Sequence, residues 1–154
     1  MAAPVVSWYS QDNAVQITQW DIGTVDAGSV SPVREILIWN NRGGGTELSD
    51  MTNTTITTKD SAGGNTGELV TNVWIECRVE SLSETQYYPI GGTTTRDLKA
   101  EGAGVASGVI KGTINGGALT DEDNFSHVSL RANVPPTATA GLVNFLTRVS
   151  YQYI

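Results

Sequence analysis

Residues 19–41 read QWDIGTVDAGSVSPVREILIWNN, and the fold class follows from this stretch. Trp20 and Ile22 close one apolar run. Asp21, Gly23, Asp26 and Gly28 then supply turn chemistry, and Ser31-Pro32 opens a second run. In that run Ile36 and Ile38 alternate with Leu37 and Trp39 until Asn40-Asn41-Arg42-Gly43-Gly44-Gly45 stops it. An extended run that is apolar on both faces predicts a strand covered on both sides. The pattern is strand, turn, strand, and it contains no reactive group.

The flanking sequence continues in the same manner. Residues 4–9 predict a first strand with Pro4 at its start, and residues 14–20 a second. Residues 54–58 form a β-branched run around Ile56. Between residues 69 and 79, Val73, Ile75, Cys77 and Val79 share one face, while Trp74, Glu76 and Arg78 share the other. Residues 108–114 and 125–132 predict two more strands. The last run, 142–154, alternates most clearly, with Val143, Phe145, Val149, Tyr151 and Tyr153 on one face. No window carries a helical period. The expectation is an all-β antiparallel sandwich of about nine strands with little or no helix, in one domain spanning residues 1–154. Residues 1–13 are a candidate N-terminal contact arm.

A chain of 154 residues can bury a sizeable core, roughly two-thirds of its unfolded surface. Charged residues make up only 16% and Gly, Ser, Thr and Asn fill the difference, which is β-rich and turn-rich usage. The net charge is −7, with no basic run, so nucleic acid is not an expected partner. No apolar run reaches membrane-spanning length, and residues 1–10 lack the basic and apolar regions of a signal peptide. The expectation is a protein made in a cytoplasm, with no membrane partner.

The chemical inventory is thin. His127 is the single histidine and has no nucleophile motif beside it, so it is read as a surface or interface residue. Cys77, the single cysteine, is read as a small core residue, which leaves no disulfide and no cysteine-based zinc site. Asp121-Glu122-Asp123-Asn124 lacks the spacing of a calcium loop and is read as a solvated acidic loop. The glycine-rich GAGVASGVIKG at 102–112 fails the phosphate-loop pattern, because no Ser or Thr follows Lys111. The Asn-x-Ser/Thr triplets at Asn53 and Asn124 are what chance provides in so Ser- and Thr-rich a chain. No catalytic residue, cofactor or metal ligand is predicted, and the chain is not expected to be an enzyme. Of the four tryptophans, Trp39 is assigned to the core and Trp74 to an exposed face. There Trp74 would serve as a protein-interface anchor or, less favoured, as a sugar platform. Trp8, Tyr9, Trp74 and Tyr153 are the interface candidates.

Two resemblances start from these residues. The run from Trp20 to Ser31, followed by Ile36-Leu37-Ile38-Trp39-Asn40-Asn41, resembles the strand–turn–strand of immunoglobulin-like domains of the Hydin and major-sperm-protein type. That likeness implies an Ig-like β-sandwich used for binding. The second likeness spans more of the chain. It comprises Trp39–Gly44, Leu48–Asn53, Thr57–Asp60, Val73-Trp74-Ile75 and Phe145–Tyr153. In style these segments are similar to small virion proteins of tailed bacteriophages, which decorate capsids or build parts of tails. The resemblance implies a virion location, a head decoration role, and the major capsid protein or other virion proteins as partners. It also implies a homo-oligomer, a trimer being favoured. A tail or neck component and a carbohydrate-binding or host-attachment module are the alternatives.

Overall fold

A computed structural model describes residues 1–154. The chain forms two antiparallel sheets. The larger contains β1 (Val6–Ser10), β2 (Arg34–Asn40), β7 (Phe125–Ala132), β4 (Ile75–Val79) and β5 (Tyr88–Ile90), in the order β1-β2-β7-β4-β5. The smaller contains β6 (Arg96–Asp97), β3 (Thr52–Asp60) and β8 (Phe145–Gln152), in the order β6-β3-β8. The all-β sandwich expected from the sequence is the fold of the chain, with eight strands instead of nine. One helical turn, α1 (Glu68–Thr71), and two 3-10 turns complete the elements.

The main core lies between the sheets. Ile36, Ile38, Val128 and Leu130 from the large sheet meet Ile56 of β3 and Leu98, all nearly inaccessible. Phe145 and Val149 of β8 pack against the same cluster and stay half-buried. The opposite face of the large sheet carries a second cluster of Leu37, Trp39 and Phe125, against which Tyr9 packs. The continuous apolar run of β2 is explained by these two clusters, since its successive side chains serve opposite faces.

Two expected strands are absent and a third is shortened, each for a local reason. Residues 14–20 make only a bridge between Gln16 and Tyr9. Ile17, Trp20, Ile22 and Val25 pack on the core as an extended strap without a ladder. Residues 108–114 contribute one bridge, Met51 to Ile110, because glycines at 108 and 112 interrupt the run. The predicted strand 69–79 is divided. Leu69 and Val70 belong to α1, and Val73 takes φ +49°, a left-handed conformation that breaks the alternation before β4 begins at Ile75.

Cys77 is fully buried on the inner face of β4, as expected. Burial pushes its thiol up to about 12. The folded protein should therefore resist thiol alkylation, with labelling that tracks unfolding. The linkage sign follows. The unfolded thiol ionises near 9.0 while the folded one holds its proton to about 12, so this contribution to stability is present below pH 9 and is lost as pH rises toward 12. Urea midpoints below pH 9 and at about pH 11 test this; an unchanged midpoint would contradict it.

Candidate interaction surface

Three buried asparagines hold the loops at one end of the sandwich. Asn40 Nδ2 donates to Ser49 O at 3.0 Å and Ile110 O at 3.2 Å, and its Oδ1 accepts the Val5 N–H at 3.2 Å. Asn41 Nδ2 donates to Thr46 O and Gly112 O, each at 2.8 Å. Asn124 Nδ2 donates to Lys111 O and Thr113 O. Gly112 fits only as glycine, since a Cβ there would lie 2.4 Å from Leu48 O and 2.5 Å from Ser49 O.

This frame brings the two chain ends together. Ser49 N–H donates to Ala2 O at 2.9 Å, and Ser49 Oγ donates to Ile154 O at 2.6 Å. Ala2 bridges Leu48, Pro4 is buried, and β1 pairs with β2 from Val6↔Asn40 to Ser10↔Ile36. Within residues 1–13, Val6–Ser10 form an edge strand of the large sheet and Ala2 is tied to the Leu48 loop. Around the joined ends the apolar side chains of Met1 (82%), Val5 (59%), Tyr153 (50%) and Ile154 (106%) are exposed.

Of the four interface candidates, only Tyr153 is exposed. Trp8 and Tyr9 are consecutive on β1 and point to opposite faces, so they cannot share a patch. Trp8 turns toward the main core, whereas Tyr9 lies under the Arg42 guanidinium, 3.7 Å from its ring centroid. Trp74 is a correction: it is 6% exposed and belongs to the main core. The Val73 turn takes it out of phase with the outward face of β4.

Beneath the strap lies a groove of about 1300 Å³, lined among others by Trp8, Trp20, Ile36, Trp74, Leu130 and Phe145. One of its walls is the first half of β8. That strand lies at the sheet edge beside β3. Thr54 N–H donates to Gly108 O, Thr54 O accepts from Leu98 N–H, and Thr58 O accepts from Gly92 N–H. The even residues of β3 therefore face away from β8, and Thr55, Thr57 and Lys59 face Ser150, Arg148 and Leu146. By the same alternation, Phe145, Thr147, Val149 and Tyr151 turn their N–H and C=O groups to the free side, and no loop backbone covers them. The strand has no proline and one charge, Arg148, so the usual protections of an edge are nearly absent.

Charge is unevenly distributed along the chain. Every Asp and Glu lies at or before Asp123, while Arg131 and Arg148 follow it. The outer face of the large sheet is by contrast laced with ion pairs. Arg78 Nε lies 2.6 Å and Ser129 Oγ 2.7 Å from Glu80 Oε1, and Arg131 Nε lies 2.8 Å from Glu76 Oε1. Burial pushes the Glu80 carboxyl up, but the Ser129 hydroxyl, the Arg78 guanidinium and His127 outweigh it and hold the carboxyl below its usual range.

His127 belongs to this outer face, with Nε2 at 3.0 Å from Glu35 Oε1. Ser81 Oγ accepts the His127 backbone N–H and donates to Glu101, so it is not aligned with the imidazole as a nucleophile would be. Asp121–Asn124 contains a 3-10 turn, with Asn124 buried rather than solvated. No three His, Cys, Asp or Glu side chains converge closely enough to hold a metal ion. No helix is long and apolar enough to cross a membrane. No protein-family model matches the chain, and no curated protein matches it in sequence.

Proposed function

We propose that this chain is a non-enzymatic structural protein of a tailed-phage particle. Its role is head decoration: it binds the capsid surface and reinforces it by bridging capsid subunits. The major capsid protein is its partner, and its place is the virion. The observation that carries this reading is the patch at the joined chain ends. Met1, Val5, Tyr153 and Ile154 present apolar side chains around the rigid Ser49 junction, on a frame stapled by buried asparagines. A rigid apolar patch suits docking to another protein. Repetition of a modest contact over a shell multiplies its effect without new chemistry. The sugar-platform alternative loses its central residue, because Trp74 is buried.

The test is binding of purified protein to undecorated shells. A Val5→Asp/Ile154→Asp variant should bind at least about tenfold more weakly, a loss of about 1.4 kcal/mol, with an unchanged circular dichroism spectrum. Binding equal to that of the wild type would remove the patch from the reading. Ring formation without affinity for shells would move the protein to the tail or neck.

A further inference from the structure

We infer that β8 pairs with β8 of a second copy of this chain, in antiparallel fashion about a two-fold axis, joining the two small sheets into one. The inference concerns self-association through the free edge, which runs on to Tyr153 and Ile154 of the capsid-facing patch, and it does not depend on that patch's role.

β8 is an eight-residue strand with one side unpaired. Its rivals at sheet edges are less available. β5 and β6 have three and two residues, and β1 is partly covered by the Ile17 N–H to Trp8 O bond. An uncovered edge this long leaves backbone donors and acceptors to water and serves as a template for another strand.

Charge selects a second copy as the occupant. Two chains of net charge −7 repel across most of their surfaces. The segment from Asn124 to Ile154 contains no acidic side chain, so two copies meet along β8 without opposing carboxylates. The one charge to place is Arg148. A register with Val149 on the axis sets Arg148 opposite Ser150, Thr147 opposite Tyr151 and Leu146 opposite Gln152. The neighbouring register, centred on Arg148, would oppose two guanidinium groups and is disfavoured. In the Val149 register the free groups of Thr147, Val149 and Tyr151 meet their own kind, as a ladder requires. Past the strand itself, Phe145 would lie opposite the exposed Tyr153 and Asn144 opposite Ile154. This edge alone builds a closed pair, because an antiparallel strand meeting its own copy has two-fold symmetry. A trimer would need a second, different edge.

Sedimentation and a substitution chosen from the geometry test it. The wild type should run at twice the 16.3 kDa chain mass. Val149→Pro removes an N–H that points to the free side and none that bonds β3, so it should fold and run as a single chain. A wild type of single-chain mass, or a Val149→Pro protein that keeps the doubled mass, overturns the inference. Should Val149→Pro fail to fold, cross-linking decides. Arg148→Cys mixed with Ser150→Cys should give a disulfide-linked pair under mild oxidation, and neither variant alone should. The native Cys77 is fully buried and does not interfere. Absence of the mixed product, or equal cross-linking in each variant alone, also overturns it. Shell binding without pairing would sink this inference alone, and pairing without shell binding would sink the particle reading alone.

Discussion

Trp74→Ala should destabilise the protein by about 3–5 kcal/mol, the range for truncating a buried large side chain. The indole is 6% exposed and packs within the same core cluster as Leu69, Val70 and Ile75. Its backbone also joins two segments, donating to Leu69 O at 3.0 Å and accepting from Asn133 N–H at 2.7 Å. Removal of the ring would leave a cavity where α1 meets the large sheet, and rigid surroundings close such cavities only in part. Trp74→Phe should keep the greater part of the stability, because Nε1 has no hydrogen-bond partner to lose. Urea denaturation measures both. A Trp74→Ala cost within about 0.5 kcal/mol, the usual range for a surface substitution, would show that the ring is solvated and return it to the interface candidates.

Asn40→Ala is expected to cost about 3–4 kcal/mol and to loosen the whole loop end of the sandwich. Asn40 is fully buried, and one side chain satisfies the Ser49 and Ile110 carbonyls and the Val5 N–H. Alanine would leave the Val5 N–H and the Ser49 carbonyl unpaired in a dry environment, at about 1–3 kcal/mol each less whatever water can recover, while the Ile110 carbonyl keeps the Met51 N–H. Because Ser49 also binds Ala2 and Ile154, the effect should spread to both chain ends. Amide exchange should accelerate at Val5, Ser49 and Met51 ahead of β4 and β7. A cost below about 1 kcal/mol, with exchange unchanged, would mean that water replaces the side chain at these groups. Asn40→Asp should be no milder, since it retains the shape but buries a charge.

These two residues also mark where the sequence could and could not be read. Trp74 sits in an alternating run, and alternation assigned it to the outward face. The assignment is sound from Ile75 to Val79, where inward and outward residues do alternate. It fails one residue earlier because α1 and the left-handed Val73 intervene, and nothing in the residues Leu69–Trp74 announces a single helical turn. Asn40 and Asn41 read as turn residues. They do turn the chain, but their side chains are used inward, on the nearby Ser49 and Thr46 carbonyls and on Ile110 and Gly112 carbonyls more than sixty positions away. Local sequence carries no signal for a partner at that distance.

Local pattern was enough wherever the apolar side chains of one strand follow its two-residue period, on one face or on both. The Phe125–Ala132 strand, the terminal strand and the two-sided apolar run at Ile36–Trp39 follow from side-chain period, because a strand sends successive residues to opposite faces. The two-sheet class followed from those periods together with the density of turn residues. Strand order, the strap that stands in for a ladder at residues 17–25, the meeting of both chain ends at Ser49 and the free side of β8 were decided only by the tertiary structure. Each depends on which backbone groups find partners across long stretches of chain. Hydrophobic period determines which face of a strand is buried, but it does not determine what lies beside that strand.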